Sequence, residues 1–296
     1  MKHFAYTFLT LFSSAVFAAD VAYIHGDIAP DGTIPSGSAD PYDQMLLTDS
    51  GNTGLSMFKQ MVESRGHSIS QFYDADTTLS SNFLANYDVV IFGLHQKLWS
   101  AAEKTALNDW LELGGGMLIY SDSASGGFFR EVGAQNTVGQ TVTNNLIGQY
   151  GMQVTVDQAA GREEETGIGS LPGLNLTNLV LQGEGVSPVA VSDNQNIQIL
   201  IPFTETVRQD QNITIPNPTY AALALRTVGN GHVTVMFDRQ PMWNGGPGSD
   251  ITKFDNREIL RRLINFLAVT PVVTEPPTPP SSEFNNMAPI LNLLDE

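Results

Sequence analysis

Cysteine is missing from all 296 positions, which excludes a disulfide framework, a thiolate nucleophile and any zinc site built on sulfur. Basic residues are scarce: 14 Lys and Arg face 31 Asp and Glu, for a formal charge of -17. That balance argues against nucleic acid and anionic membrane as partners, because both need clustered cations to displace counterions. It suits neutral or cationic ligands, or salty surroundings. Long apolar runs are lacking after the first residues. Lys2 and His3 precede the apolar stretch Phe4 to Phe17, and Val16-Phe17-Ala18 fits a small-residue cleavage site, so residues 1–18 read as a signal peptide. The stretch is too short to anchor the chain in a bilayer. The expectation is an exported protein, periplasmic or extracellular, without stable membrane insertion.

Two motif classes are also absent. No glycine-rich loop followed by lysine closes a strand, which argues against a phosphate cradle. No Gly-x-Ser-x-Gly elbow is present, although Ser121-Asp122-Ser123-Ala124-Ser125-Gly126 forms a sharp polar turn.

What is present has the rhythm of an α/β domain. Val21 to His25, Ser68 to Tyr73, Tyr87 to Gly93 and Met117 to Tyr120 are apolar strand runs. Between the first two, Leu55, Phe58, Met61 and Val62 recur at helical spacing until Gly66 stops them. Ser100 to Glu103 is a capping box, and Leu107, Trp110 and Leu111 form the buried stripe of the helix it opens. Such alternation implies right-handed crossovers and a parallel sheet covered on both faces. From Gly151 short β-type runs dominate, and Gly229-Asn230-Gly231 is a hairpin turn before the last strong strand, His232 to Phe237. A second capping box, Asp255 to Glu258, precedes an amphipathic helix carrying Ile259, Leu260, Leu263, Ile264 and Leu267. The domain is expected to span residues 19–270, with residues 271–296 a Pro-rich linker and tail that could lead to a further module.

Ligands of open parallel sheets gather outside the carboxyl ends of the strands. There the sequence delivers His25 and Asp27, His95 and Gln96, Ser121, Asp122 and Ser123, then Asp238 and Arg239. Two carboxylates can flank a glycosidic bond as acid and base, or acid and nucleophile, so Asp122 and Asp238, with Asp27 and His95, are the candidate catalytic set. Each aspartate can equally cap a turn. Trp99 and Trp243 lie in loops on the same side, where an indole face can lie against a sugar ring; Ser121, Arg239 and Asn244 complete the candidate substrate contacts. Ser121 as a nucleophile would need His95 as its base, and a serine satisfying turn amides is the commoner reading. His25, Asp27, His95 and Asp238 have the chemistry of a metal site, but no compact ligand motif joins them, and neither metal nor cofactor is expected. His67 and His232 fall at the strands' amino ends and read as structural, and Arg162 to Glu165 reads as a solvated loop.

"LELGGGMLIYSDS" (Leu111 to Ser123) resembles the segment by which the class I glutamine amidotransferase superfamily presents its catalytic cysteine. "GNGHVTVMFDRQPMW" and "FDNREILRRLINFLA" resemble that superfamily's closing strand and helix, especially in its ThuA-like branch. The resemblance covers Val21 to Ala268 and implies a flavodoxin-like α/β fold, with a parallel sheet and here a β-richer second half. The family's cysteine position falls on Ser121, and its Phe-His-Pro-Glu pattern falls on Phe237-Asp238-Arg239-Gln240, so Asp238 stands in place of histidine. A glutaminase needs both thiolate and histidine, and this chain has neither. Two functions stay open: an exported carbohydrate-processing enzyme cleaving glycosidic bonds, or a non-catalytic glycan- or partner-binding module.

Overall fold

The computed structural model describes residues 18–26, 45–93, 95, 97–120, 138–156, 162–194, 196–207, 213–246 and 248–269. Asp27, Gln96, Ser121, Asp122 and the tail 271–296 lie outside the described residues, as do residues 1–17 of the expected signal peptide.

Strands β1 (Asp20–His25), β2 (Ser68–Tyr73), β3 (Val89–Gly93) and β4 (Gly116–Tyr120) alternate with helices α1 (Ser56–Glu63), α2 (Ser81–Leu84) and α3 (Ala101–Glu112). Helix α4 (Val138–Ile147) follows, then β5 (Met152–Val154), β6 (Arg162–Thr166), β7 (Ser170–Leu171), β8 (Leu174–Asn175), β9 (Val180–Glu184), β10 (Val189–Val191), β11 (Ile197–Pro202), β12 (Thr219–Val228), β13 (Gly231–Met236) and α5 (Asn256–Leu267). The nine-stranded main sheet runs β2-β1-β3-β4-β13-β12-β10-β5, with β11 also on β12. From β2 through β13 the neighbours are parallel. The strands β12, β10, β11 and β5 continue the sheet by antiparallel pairing, so the flavodoxin-like half and the β-richer half share one sheet.

Burial on both faces explains the unbroken apolar strands: β3 and β4 are buried at every position. Side-chain alternation divides them into two cores. Val21, Tyr23, Ile91, Leu118 and Tyr120 join α1, α5 and the β7–β9 region on one face, while Ile24, Phe92 and Ile119 join α3 and α4 on the other. Helix α5 buries Ile259, Leu260, Leu263, Ile264 and Leu267, each contributing about 1.5–3 kcal/mol of burial. Truncating Leu263 to alanine would cost about 2–5 kcal/mol by opening a cavity.

Local signals explain most ends. The Ser100 hydroxyl accepts from the Glu103 N–H while the Glu103 carboxylate accepts from the Ser100 N–H, so the first capping box forms. Gly229, with φ of 56°, turns the β12–β13 hairpin.

Three expectations fail. The second capping box does not form, because Asp255 Oδ2 accepts from the Val180 N–H at 2.9 Å and extends the pairing of β9 instead of capping α5. Glu258 turns to Arg261 and Arg262. Arg162 to Glu165 is no loop but strand β6, paired with β9. Buried Glu165 accepts from the Thr204 N–H at 2.7 Å and hydroxyl at 2.8 Å, which repays its desolvation. Trp110 is only half-buried: it lies over Gly115 and donates from Nε1 to the Tyr87 carbonyl at 3.1 Å.

Candidate functional site

At the carboxyl edge, β1, β3, β4 and β13 end at His25, Gly93, Tyr120 and Met236. Tyr23 and Tyr120 occupy the α1–α5 face of strands that flank β3. Their hydroxyls meet at 2.9 Å, and the Tyr23 hydroxyl lies 3.0 Å from the Met45 carbonyl that accepts from it. The Tyr120 hydroxyl is 3.9 Å from the Met45 sulfur. A Cβ at Gly93 would collide with both tyrosines, so glycine is what allows the rings to reach across β3. Met45 itself has a φ of 60°, a left-handed conformation that costs a side-chain-bearing residue about 1–2 kcal/mol. Burial raises the Tyr23 phenol above its ordinary value, while Tyr120 and the nearby charge of Arg239 oppose the rise. The Tyr23 phenol therefore stays protonated, and the space beside the end of β4 is filled by the two buried rings.

His25 stacks on Tyr23 with ring centroids 5.9 Å apart, and its Nδ1 lies 3.3 Å from the Gly93 carbonyl oxygen.

Asp238 leaves β13 as a buried turn cap. Its Oδ2 accepts from the Glu184 N–H at 2.9 Å, and its Oδ1 accepts from the N–H groups of Arg239 at 2.7 Å and Gln240 at 3.2 Å. The buried Arg239 guanidinium sits over the Trp243 ring at 5.2 Å. Asn244 is spent on architecture: its Oδ1 accepts from the Met57 N–H at 2.7 Å, and its Nδ2 donates to the carbonyls of Asp49 and Gly51. It thereby caps α1 across a large sequence gap.

His95 and Trp99 belong to the opposite face. The His95 ring lies 5.5 Å from Phe92 and 6.4 Å from Trp99. Burial pushes His95 down to about 4, so it is neutral near pH 7. Lys97 stands 4.6 Å over the Trp99 ring and binds Glu103 at 2.8 Å. Burial works to raise the Glu103 carboxyl, but Lys97 and Ser100 outweigh it and hold it below its usual range.

The candidate set is thus divided by the sheet: Asp238, Arg239, Trp243 and Asn244 on one side, His95 and Trp99 on the other. His95 does not approach Asp238, which also splits the candidate metal set, and among the described residues no group of three or more His, Asp and Glu could hold a metal ion. Trp99 and Trp243 are 2% and 7% exposed, so neither indole offers a face to a sugar. Sequence reasoning missed Tyr23, Tyr120 and Met45. Their only local signal is a polar-tipped aromatic near the end of an otherwise aliphatic strand.

No family model and no curated protein matches the chain. Among solved structures it is similar to the mmIFT52 N-terminal domain, at 13% identity and a TM-score of 0.55, over 85% of this chain and 99% of that one. A ThuA-like protein from Bacteroides uniformis shares 11% identity at a TM-score of 0.47, over 84% and 90% of the two chains. A β-galactosidase from Rahnella sp. R3 shares 12% at 0.42, over 84% of this chain but 30% of its own. At such identities a likeness speaks to fold alone, and the functional reading has to come from the residues at the carboxyl edge.

Proposed function

We propose that the chain is an exported, non-catalytic recognition module, in which an amidotransferase-like sheet serves as a rigid support for ligand binding. The observation that carries the reading is Asp238. It stands where the resembled family keeps its histidine, yet its carboxylate is buried and engaged by three backbone N–H groups. A general acid or nucleophile must present an oxygen to substrate within hydrogen-bond reach, and these oxygens are turned inward. The Tyr23, Tyr120 and Met45 cluster supports the same reading, since it occupies the ground beside the former nucleophile turn. The separation of His95 from Asp238 removes the base that either a serine or a carboxylate mechanism would use.

The test pairs thermal-shift screening against neutral, acidic and basic oligosaccharides with product analysis of the same incubations. The expected result is a ligand that raises the unfolding temperature and is recovered intact. Turnover of any glycan that disappears in Asp122→Asn would overturn the module reading and restore the carboxylate enzyme. Export is checked by fractionating cells that express the full chain, with the mature N-terminus expected at Ala19.

A further inference from the structure

Helices α1 and α5 lie side by side on the Tyr23 face, and a cleft of about 560 Å3 opens between them. Its lining includes Met61 and Arg65 from the α1 side with Phe254, Arg257 and Arg261 from the α5 side. Three of the chain's 14 cations thus share one cleft in a protein with 31 acidic residues. Arg65 and Arg257 are exposed, and among the described residues neither guanidinium has a hydrogen-bond or ion-pair partner. The two carboxylates in the same cleft already have partners: Asp255 with the Val180 N–H, and Glu258 with Arg261, inside the cleft, and Arg262. Because Asp255 does not cap its own helix, the N–H groups of Arg257 and Glu258 find no acceptor among the described residues at the positive end of α5.

Phe254 adds an aromatic surface. It is 56% exposed and its backbone has a φ of 42°, a left-handed conformation unusual for a bulky side chain. The turn before α5 therefore holds a phenyl ring in solvent at the cleft instead of burying it.

We propose that the α1–α5 cleft binds a small organic anion, a ring that carries one carboxylate, as in a sugar acid. The guanidinium forks of Arg65 and Arg257 match a carboxylate's two oxygens, and the face of the ring lies against Phe254. A single charge is the fitting one, because the strongly negative protein repels polyanions while the two unpaired arginines of the cleft hold a monoanion. The site is separate from the carboxyl edge, so it stands whether or not the module reading does.

The test is calorimetric or NMR titration of the full chain with glucuronate, with glucose as the uncharged ring and inorganic phosphate as the bare oxyanion. Glucuronate is expected to bind more tightly than either, and competition by sodium chloride is expected to weaken it. Arg65→Gln and Arg257→Gln should each weaken glucuronate about tenfold, and Phe254→Ala should weaken glucuronate while leaving any phosphate binding unchanged. Both arginines are exposed and unpaired, so unchanged unfolding midpoints will certify the variants; if a variant fails to fold, the ligand comparison and the salt competition on the unaltered chain decide. Glucuronate binding no tighter than glucose, tighter binding of phosphate, or full affinity in the folded double variant would each overturn the proposal. Turnover at the carboxyl edge would refute the module reading and leave these titrations unaffected.

Discussion

Tyr23 and Tyr120 come from strands with β3 between them, and their hydroxyls meet 2.9 Å apart above Gly93. Neighbouring strands stand about 4.8 Å apart, so the two rings together bridge roughly twice that gap. The bridge exists only because the intervening residue has no side chain. Gly93→Ala should therefore cost about 1–3 kcal/mol by overpacking a fully buried site. Tyr23→Phe should be worse than Tyr120→Phe, since it removes the donor to the Met45 carbonyl together with the contact between the hydroxyls, at about 1–3 kcal/mol. Urea unfolding of the three variants checks the order; equal effects of the two phenylalanines would contradict it.

Asp238→Ala should destabilise the fold by about 2–4 kcal/mol, because it leaves three N–H groups without their charged acceptor. Asp238→Asn keeps one carbonyl oxygen and should cost less. The measurement is the urea midpoint of each variant beside its ligand affinity. A catalytic aspartate would behave in the opposite way, with stability kept or raised on its removal and turnover lost.

His95 makes stability depend on pH. Its folded pKa of about 4 lies below the unfolded value of 6.5, so the unfolded chain binds a proton that the folded chain refuses between those limits. Its stabilising contribution is complete above pH 6.5 and is lost as the pH falls toward 4, by up to about 3 kcal/mol. The His232 imidazole, also lowered by burial, acts in the same direction. His95→Phe should flatten the curve of stability against pH between 7 and 4 relative to the unaltered chain. Parallel curves would show that His95 is not the group responsible.

Phe254→Gly tests whether stability has been given up at the α1–α5 cleft. Glycine adopts the left-handed backbone without strain, and the ring it removes is mostly exposed, so stability should hold or rise by up to about 1 kcal/mol. Glucuronate affinity should fall in the same protein. A clear loss of stability would instead mean that the ring packs something essential.

Glu258 is held below the usual carboxylate range, chiefly by its hydrogen bond from Arg261 and against the opposing effect of burial. Glu258→Gln should release Arg261 to face the cleft and tighten glucuronate several-fold, for a stability loss of no more than about 1 kcal/mol. Weaker binding after that change would place the anion elsewhere.

Legibility in the sequence followed the range of the interactions. The capping box of α3 was readable because Ser100 and Glu103 satisfy each other within one turn. The matching pattern at Asp255 misled because Val180, far away in sequence, claims its carboxylate. Glu165 looked solvated for the same reason, its partner being Thr204. The loop positions of Trp99 and Trp243 were evident, but the side to which each indole folds depends on α4 and on the turn after β13. The Tyr23 and Tyr120 pair was out of reach entirely, because it requires the strand order β1-β3-β4, which no local pattern contains.

The position of β13 also dictates an order of assembly. It lies between β4 and β12, pairing His232 with Gly116 and Met236 with Tyr120. Until that strand has been synthesised, β4 is an open edge of Gly, Met, Leu, Ile and Tyr, every one of them destined for burial. Closing the β4–β13 pair brings together segments more than a hundred residues apart, so this ladder carries a high loop-closure cost. A chain interrupted before Gly231 would expose an adhesive strand, and a chaperone that shields β4 would act at the moment of greatest need.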